Sequence, residues 1–262
     1  MQSDFSVFER RFRDYVEEFR NADGSFYFPI RRKLEHTFDV CRTTEEICRR
    51  EKRSAEETHI FLLCSLFHDL SRFEQFRKFR TFRDADSFDH GNRSEELMLS
   101  GDFLRGVPPD QQSVIACAVR LHNKSSIPAD TPRECLPAAQ MVRDADKLDI
   151  LKLVYEFFMD PAKVDPTMKL ELPISPGCTE SILNAVLEGK PILYSDMRNV
   201  NDFILALFSW AFQFNYASAA ELALERKLYP KLYSLLSVPE DKTAPLPALT
   251  EQRLRKKMRR PS

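Results

Sequence analysis

The chain has 262 residues, enough for one large domain or a domain with an appendage, and at this length roughly 70–75% of the unfolded surface is buried on folding. Its 39 Lys and Arg stand against 40 Asp and Glu, so no global excess of charge favours nucleic acid or an anionic membrane surface, and any such preference has to be local. Six glycines and 21 phenylalanines among many Leu, Ala, Glu and Arg argue for helices over sheets, and no alternating strand pattern of convincing length occurs. The expected fold class is all-α. The N-terminal stretch MQSDFSVFERRFRDY is charged from its fourth residue and lacks an apolar leader, while the longest apolar run, Phe203 to Phe212, is half of what a bilayer span needs. A soluble cytoplasmic protein without a membrane partner is expected. Cys41, Cys48, Cys64, Cys117, Cys135 and Cys178 form no CxxC pair, and three of them fall in apolar helical rows, so reduced thiols are expected.

Taken in order, the chain reads as a succession of helices. Asp4 or Ser3 can cap a first helix in which Phe5, Phe8, Phe12, Tyr15, Val16 and Phe19 recur at steps of three and four. After the turn NADGS and Pro29, a second helix runs from about Arg31 to Arg50 and sets His36, Val40, Thr43 and Ile47 on one face, which turns His36 inward. The third segment, from Ser54 to Arg72, opens with Ser54 and Glu57 at capping-box spacing and ends in the adjacent pair His68 and Asp69 after two apolar rows. Between Arg72 and Arg83, Phe73, Phe76, Phe79 and Phe82 alternate with Arg77, Lys78, Arg80 and Arg83, giving an aromatic side and a basic side. Most simply this is an amphipathic segment laid on the core; the functional reading is a basic rim that gathers phosphate oxygens. Residues Asp84 to Asp89 then reverse the charge. His90 opens a helix carrying Leu97, Leu99 and Phe103, and Pro108 and Pro109 start another in which Ile115, Val119 and His122 share a face. A long helix from about Pro137 to Phe158 puts Asp146 on an apolar stripe with Val142 and Leu153.

Past Asp160, Pro161, Pro166, Pro173, Pro176 and Gly177 mark a linker or irregular loop. Further helices are expected near Thr179–Leu187, Asn199–Asn215 and Ala219–Leu236. The reading is a helical core over residues 1–165, an accessory helical layer over 166–240, and a basic, solvated tail over 241–262.

Four histidines and two carboxylates (His36, His68, Asp69, His90, His122 and Asp146) thus lie on or near helices, several on inward faces. Singly, each histidine is most simply a satisfied core residue. Together they match what two adjacent divalent metals need: neutral nitrogen donors on each, a carboxylate able to bridge, and open positions for water and substrate. Burying that many polar groups without a ligand costs several kcal/mol. His59, a full turn and more from the ligand end of its helix, reads as structural or exposed.

At these residues the sequence resembles the HD superfamily of metal-dependent phosphohydrolases, whose pattern is H…HD…H…H…D on a helical core; the resemblance covers about residues 25 to 160. It implies that His36, His68, Asp69 and Asp146 hold one metal, and that His90 and His122 hold a second, bridged by Asp69. Ala145, Asp146, Lys147 and Leu148 reproduce the usual surroundings of the last Asp, which prefers Asp146 over Asp144. HDLSR keeps the family's basic residue as Arg72, with Ser71 in place of glycine. The resemblance further implies one or two divalent ions, Mn or Fe first, with Mg, Co, Ni or Zn also accommodated by such sites. It implies a small phosphorylated substrate such as a nucleotide, with Arg72 and Lys147 helping to hold phosphate and nucleic acid not favoured. The oligomeric state is left open. The same six ligands also serve di-iron oxygenases, and a non-catalytic nucleotide- or partner-binding module is the remaining alternative.

Overall fold

The computed structural model describes residues 4–160, 172–190 and 192–259, and every regular element among them is helical. The chain divides into two compact units, Met1–Asp146 and Lys147–Ser262. The dividing point falls inside a helix, whereas part of the proline-marked stretch, with Pro161 and Pro166, lies outside the described residues.

The first unit is built from α1 (Phe5–Glu17), α2 (Phe28–Arg50), α3 (Ala55–Phe67), α4 (Leu70–Phe79), α5 (His90–Ser100), α6 (Pro109–Leu121) and the first part of α7 (Leu136–Met159). Asp4 caps α1 by accepting from the Ser6 amide, and Phe8, Phe12 and Val16 form its buried stripe. Phe12 is fully buried in edge-to-face contacts with Phe38, Phe67 and Phe73, which ties α1 to the helices that carry the central ligands. α2 begins three residues before the expected start because Pro29 sits in its first turn, where its missing N–H costs nothing. His36, Val40, Thr43 and Ile47 are all buried, as their common face requires.

α3 starts on a complete capping box between Ser54 and Glu57. It packs against α1, α2 and α6, so it is enclosed on several sides. The helical path is broken at the HD pair: His68 ends α3 in the right-handed region, and Asp69, at φ −104° and ψ 20°, restarts the chain into α4. This break lets two successive residues face one interior point, which a continuous helix would forbid because neighbours diverge by about 100°. α4 stops at Arg80, whose φ of 58° is left-handed. The expected aromatic side is discontinuous there: Phe73, Phe76 and Phe82 are buried while Phe79 is exposed. In α5 the buried large apolar side chain is Met98, and Leu99 faces solvent.

The second unit holds the rest of α7, α8 (Glu180–Glu188), α9 (Val200–Phe208), α10 (Ala217–Glu225), α11 (Leu228–Tyr233), α12 (Glu240–Thr243) and α13 (Pro245–Met258). α9 is buried along its whole length, and Asp202 within it accepts from the Thr179 and Arg198 amides and the Thr179 hydroxyl. Part of the expected solvated tail is instead α13, which buries Leu246, Thr250 and Leu254 and packs on α10; these buried residues recur at four-residue steps among the charges. No described helix is long and apolar enough to cross a membrane. All six cysteines are free thiols, five of them buried.

Candidate metal centre

Six side chains of the first unit converge. His36 projects from α2, His68 and Asp69 from the α3–α4 break, His90 from the first residue of α5, His122 from the residue closing α6, and Asp146 from α7. His68 is fully buried, His36 is 2% exposed and Asp69 3%. Two groups of donor atoms could each hold an ion: His36, His68 and Asp146, and His68, Asp69 and His122. His36 Nε2 lies 3.1 Å from Asp146 Oδ1 and 3.4 Å from His68 Nε2, and His90 Nε2 lies 3.1 Å from His122 Nε2. Asp69 sits between the pairs. Its Oδ2 is 3.7 and 3.5 Å from the Nε2 atoms of His36 and His68, and its Oδ1 is 3.6 Å from those of both His90 and His122.

The partners on the far side of each ring decide what these nitrogens can do. His68 Nδ1 lies 2.7 Å from the Ser65 carbonyl and His122 Nδ1 2.7 Å from the Val119 carbonyl. A carbonyl only accepts, so each Nδ1 carries the proton and each Nε2 presents a lone pair inward. His90 Nδ1 lies 2.5 Å from Asp84 Oδ2 and donates to it, so its Nε2 is a lone pair too. Two lone pairs therefore face each other across 3.1 Å between His90 and His122, beside a carboxylate oxygen and with Arg72 Nη2 3.1 Å from the His90 nitrogen. Fixing each ring by a partner on its far nitrogen is the way metal-binding imidazoles are oriented. Donor atoms about 2.1 Å from a common ion at tetrahedral or octahedral angles stand about 3.0–3.4 Å apart, close to the spacings found. The residues fit a metal.

Electrostatics prepare the donors. Burial lowers His68 to about 4, and burial followed by the nearby Arg72 charge lowers His90 to about 3, so both are neutral at physiological pH. Burial works against ionisation of Asp69, yet the charges of Lys33 and Arg72 hold it well below the usual carboxylate range. Burial likewise works against ionisation of Asp146, yet the hydrogen bond with His36 lowers it.

Four residues that periodicity did not single out complete the site. Lys33, one turn before His36, donates to Asp69 Oδ2 at 2.7 Å. Asp84 takes the His90 proton at one oxygen and the Arg72 Nη1 at the other. Asn123 donates to Asp84 and Asp89. Arg143, buried in α7, donates to the carbonyls of Leu121, His122, Lys124 and Ser125 and so holds the end of α6 that carries His122. Spacing could have flagged Lys33, since i and i+3 share a helix face. Arg72 lines the centre, with Nη2 3.1 Å from His90 Nε2 and Nε 3.5 Å from Asp69 Oδ1. Lys147 follows Asp146 in the chain but belongs to the second unit, where it is buried with Nζ 5.8 Å from the Trp210 ring centre. Asp144 is fully buried. His59 stands apart, its ring edge-to-face with Phe8 at 5.6 Å.

These features define an all-α protein with a buried His and Asp cluster able to bind metal. No protein-family model, curated protein or solved structure matches the chain.

Proposed function

We propose that the chain is a metal-dependent phosphohydrolase of the HD type, acting on a phosphoester or phosphoanhydride of a small molecule such as a nucleotide. The observation that carries this reading is the division of Asp69: one oxygen faces His36 and His68, the other faces His90 and His122. Such a carboxylate suits a bridge between two cations. Divalent ions bound there, Mn or Fe first, would supply Lewis acidity and a water acidified to near neutral pH.

The chain's own contribution is to keep the donors ready. Carbonyl acceptors fix the tautomers of His68 and His122, Asp84 fixes that of His90, and burial keeps His68 and His90 free of protons that would compete with a metal. Asp69 and Asp146 remain ionised. Lys33 and Arg72 add positive charge beside Asp69, which favours an anionic substrate.

The test is metal analysis of anaerobically purified protein followed by phosphate release from a panel of nucleotides. His68→Ala and Asp69→Ala should each abolish hydrolysis and remove bound metal. Full metal content in Asp69→Ala would rule out its bridging role, and metal-loaded protein that consumes O₂ with an organic substrate but releases no phosphate would replace hydrolysis with oxygenation.

A further inference from the structure

Two cations flank Asp69, and they are not equivalent. Arg72 is committed to the wall of the site. Its Nη1 donates to Gln75 Oε1 at 2.6 Å, the Phe82 carbonyl at 2.7 Å and Asp84 Oδ1 at 3.0 Å. Turning that guanidinium toward a substrate would strip the partners that place Asp84, and through it His90. Lys33 is held differently. Its hydrogen-bond partner among the described residues is Asp69 Oδ2, and its ammonium lies 5.5 Å from the Phe82 ring centre. Its side chain is 18% exposed where that of Asp69 is 4%, so the ammonium sits at the edge of the cluster.

The oxygen that Lys33 holds is the same one that faces His36 and His68. A divalent ion bound to that pair would claim this oxygen, and a like charge cannot stay in contact with it. The Lys33 ammonium, on a flexible four-carbon stem, can leave without disturbing a second residue. It would then be a buried-edge cation next to a metal, deprived of its counter-ion, and the natural partner for it is an anionic oxygen of the substrate.

Resting on the metal-centre reading above, we infer that Lys33 is the anion-binding cation of this site: it neutralises Asp69 in the metal-free protein and takes a phosphoryl oxygen once metal has displaced it. Metal binding thereby creates the phosphate site, and the two bind in that order.

The experiment titrates the metal-stripped full chain with Mn²⁺ by calorimetry, then titrates the Mn²⁺-saturated protein with inorganic phosphate. Lys33→Met should bind its first Mn²⁺ roughly tenfold more tightly, because no charge-assisted bond has to be broken, and should bind phosphate roughly tenfold more weakly. Lys33→Arg should keep most of the phosphate affinity. Wild-type protein without Mn²⁺ should bind phosphate no better than Lys33→Met. Circular dichroism checks folding, and Lys33→Gln serves if the methionine variant does not fold. Unchanged phosphate affinity, or weaker Mn²⁺ binding, in folded Lys33→Met overturns the inference while leaving the metal centre standing. A wild type that binds no Mn²⁺, Fe²⁺ or other divalent ion overturns the metal centre and this inference together.

Discussion

Asp84 separates the two halves of the cluster. It contacts His90 and Arg72 but none of His36, His68 and Asp146, so its loss acts on one pair of imidazoles only. Asp84→Ala frees His90 to adopt the wrong tautomer or rotate, and removing such a partner typically costs 10–100-fold in metal affinity. We expect one of two metal equivalents to weaken by about that factor while the other is unchanged, as read by calorimetry on the stripped protein. Equal weakening of both equivalents, or of neither, contradicts the assignment. The ligands and their supports differ in how visible they are in the chain. His36 and Asp146 stand out as polar residues on apolar helical stripes, and His68 with Asp69 as a doublet closing an apolar run. Asp84 has no such signal: it lies in a short 3-10 turn, inside an acidic stretch that looks like a solvated loop. Arg143 is equally silent, since a basic residue in a long helix is ordinarily exposed, and only the fold brings four carbonyls to it.

At the scale of the helices, the critical contact is between α5 and α6. Gly91 follows His90 and lies so close to α6 that an added Cβ would sit 2.7 Å from the Arg120 carbonyl and overlap the Asn123 side chain. A backbone carbonyl cannot step aside, so Gly91→Ala has to push the two helices apart. Overpacking of this kind costs on the order of 1–3 kcal/mol, and it also displaces Asn123 from Asp84 and Asp89. We expect a lower Tm together with weaker binding at the His90 and His122 pair; a variant with wild-type Tm would show that α5 yields at no cost. Helix ends were readable where side chains cap them, as at Asp4 and at the Ser54 and Glu57 box, because those motifs are local. The break after Phe67 was not readable, since the apolar spacing runs through it and only packing of α3 against three neighbours enforces it.

For the whole molecule, acid stability follows from burying neutral imidazoles. Well above pH 6.5, His68 and His90 are uncharged in both folded and unfolded chains. Below 6.5 the unfolded chain takes up protons that the folded one refuses until about pH 4 for His68 and about pH 3 for His90. The metal-free protein therefore loses stability as pH falls through this window, by up to about 1.4 kcal/mol per pH unit for each imidazole. Asp69 and Asp146 act in the same sense at lower pH: their depressed values contribute stability that is present above the ordinary 3.8 and is lost below it. The urea midpoint of stripped protein should drop between pH 7 and pH 5, and a flat midpoint would mean that these rings are solvated. The all-helical class was legible throughout from composition and three-to-four spacing. The tail was not, because six basic residues in EQRLRKKMRRPS outweigh the apolar positions that α13 buries.

The placement of the donors at helix ends has a bearing on how this chain can change in length. His68 closes α3, Asp69 precedes α4, His90 begins α5 and His122 closes α6. Residues 126–134, which follow the carbonyls held by Arg143 and lead from the His122 end to α7, can gain or lose residues while the ends stay where packing holds them. Within α3 the opposite holds. One inserted residue turns everything beyond it by about 100° and shifts it 1.5 Å along the axis, carrying His68 off the cluster and the apolar rows off their neighbours. Insertions and deletions compatible with this centre are thus confined to the joints, and the intervals between ligands are free to vary only where a joint lies between them.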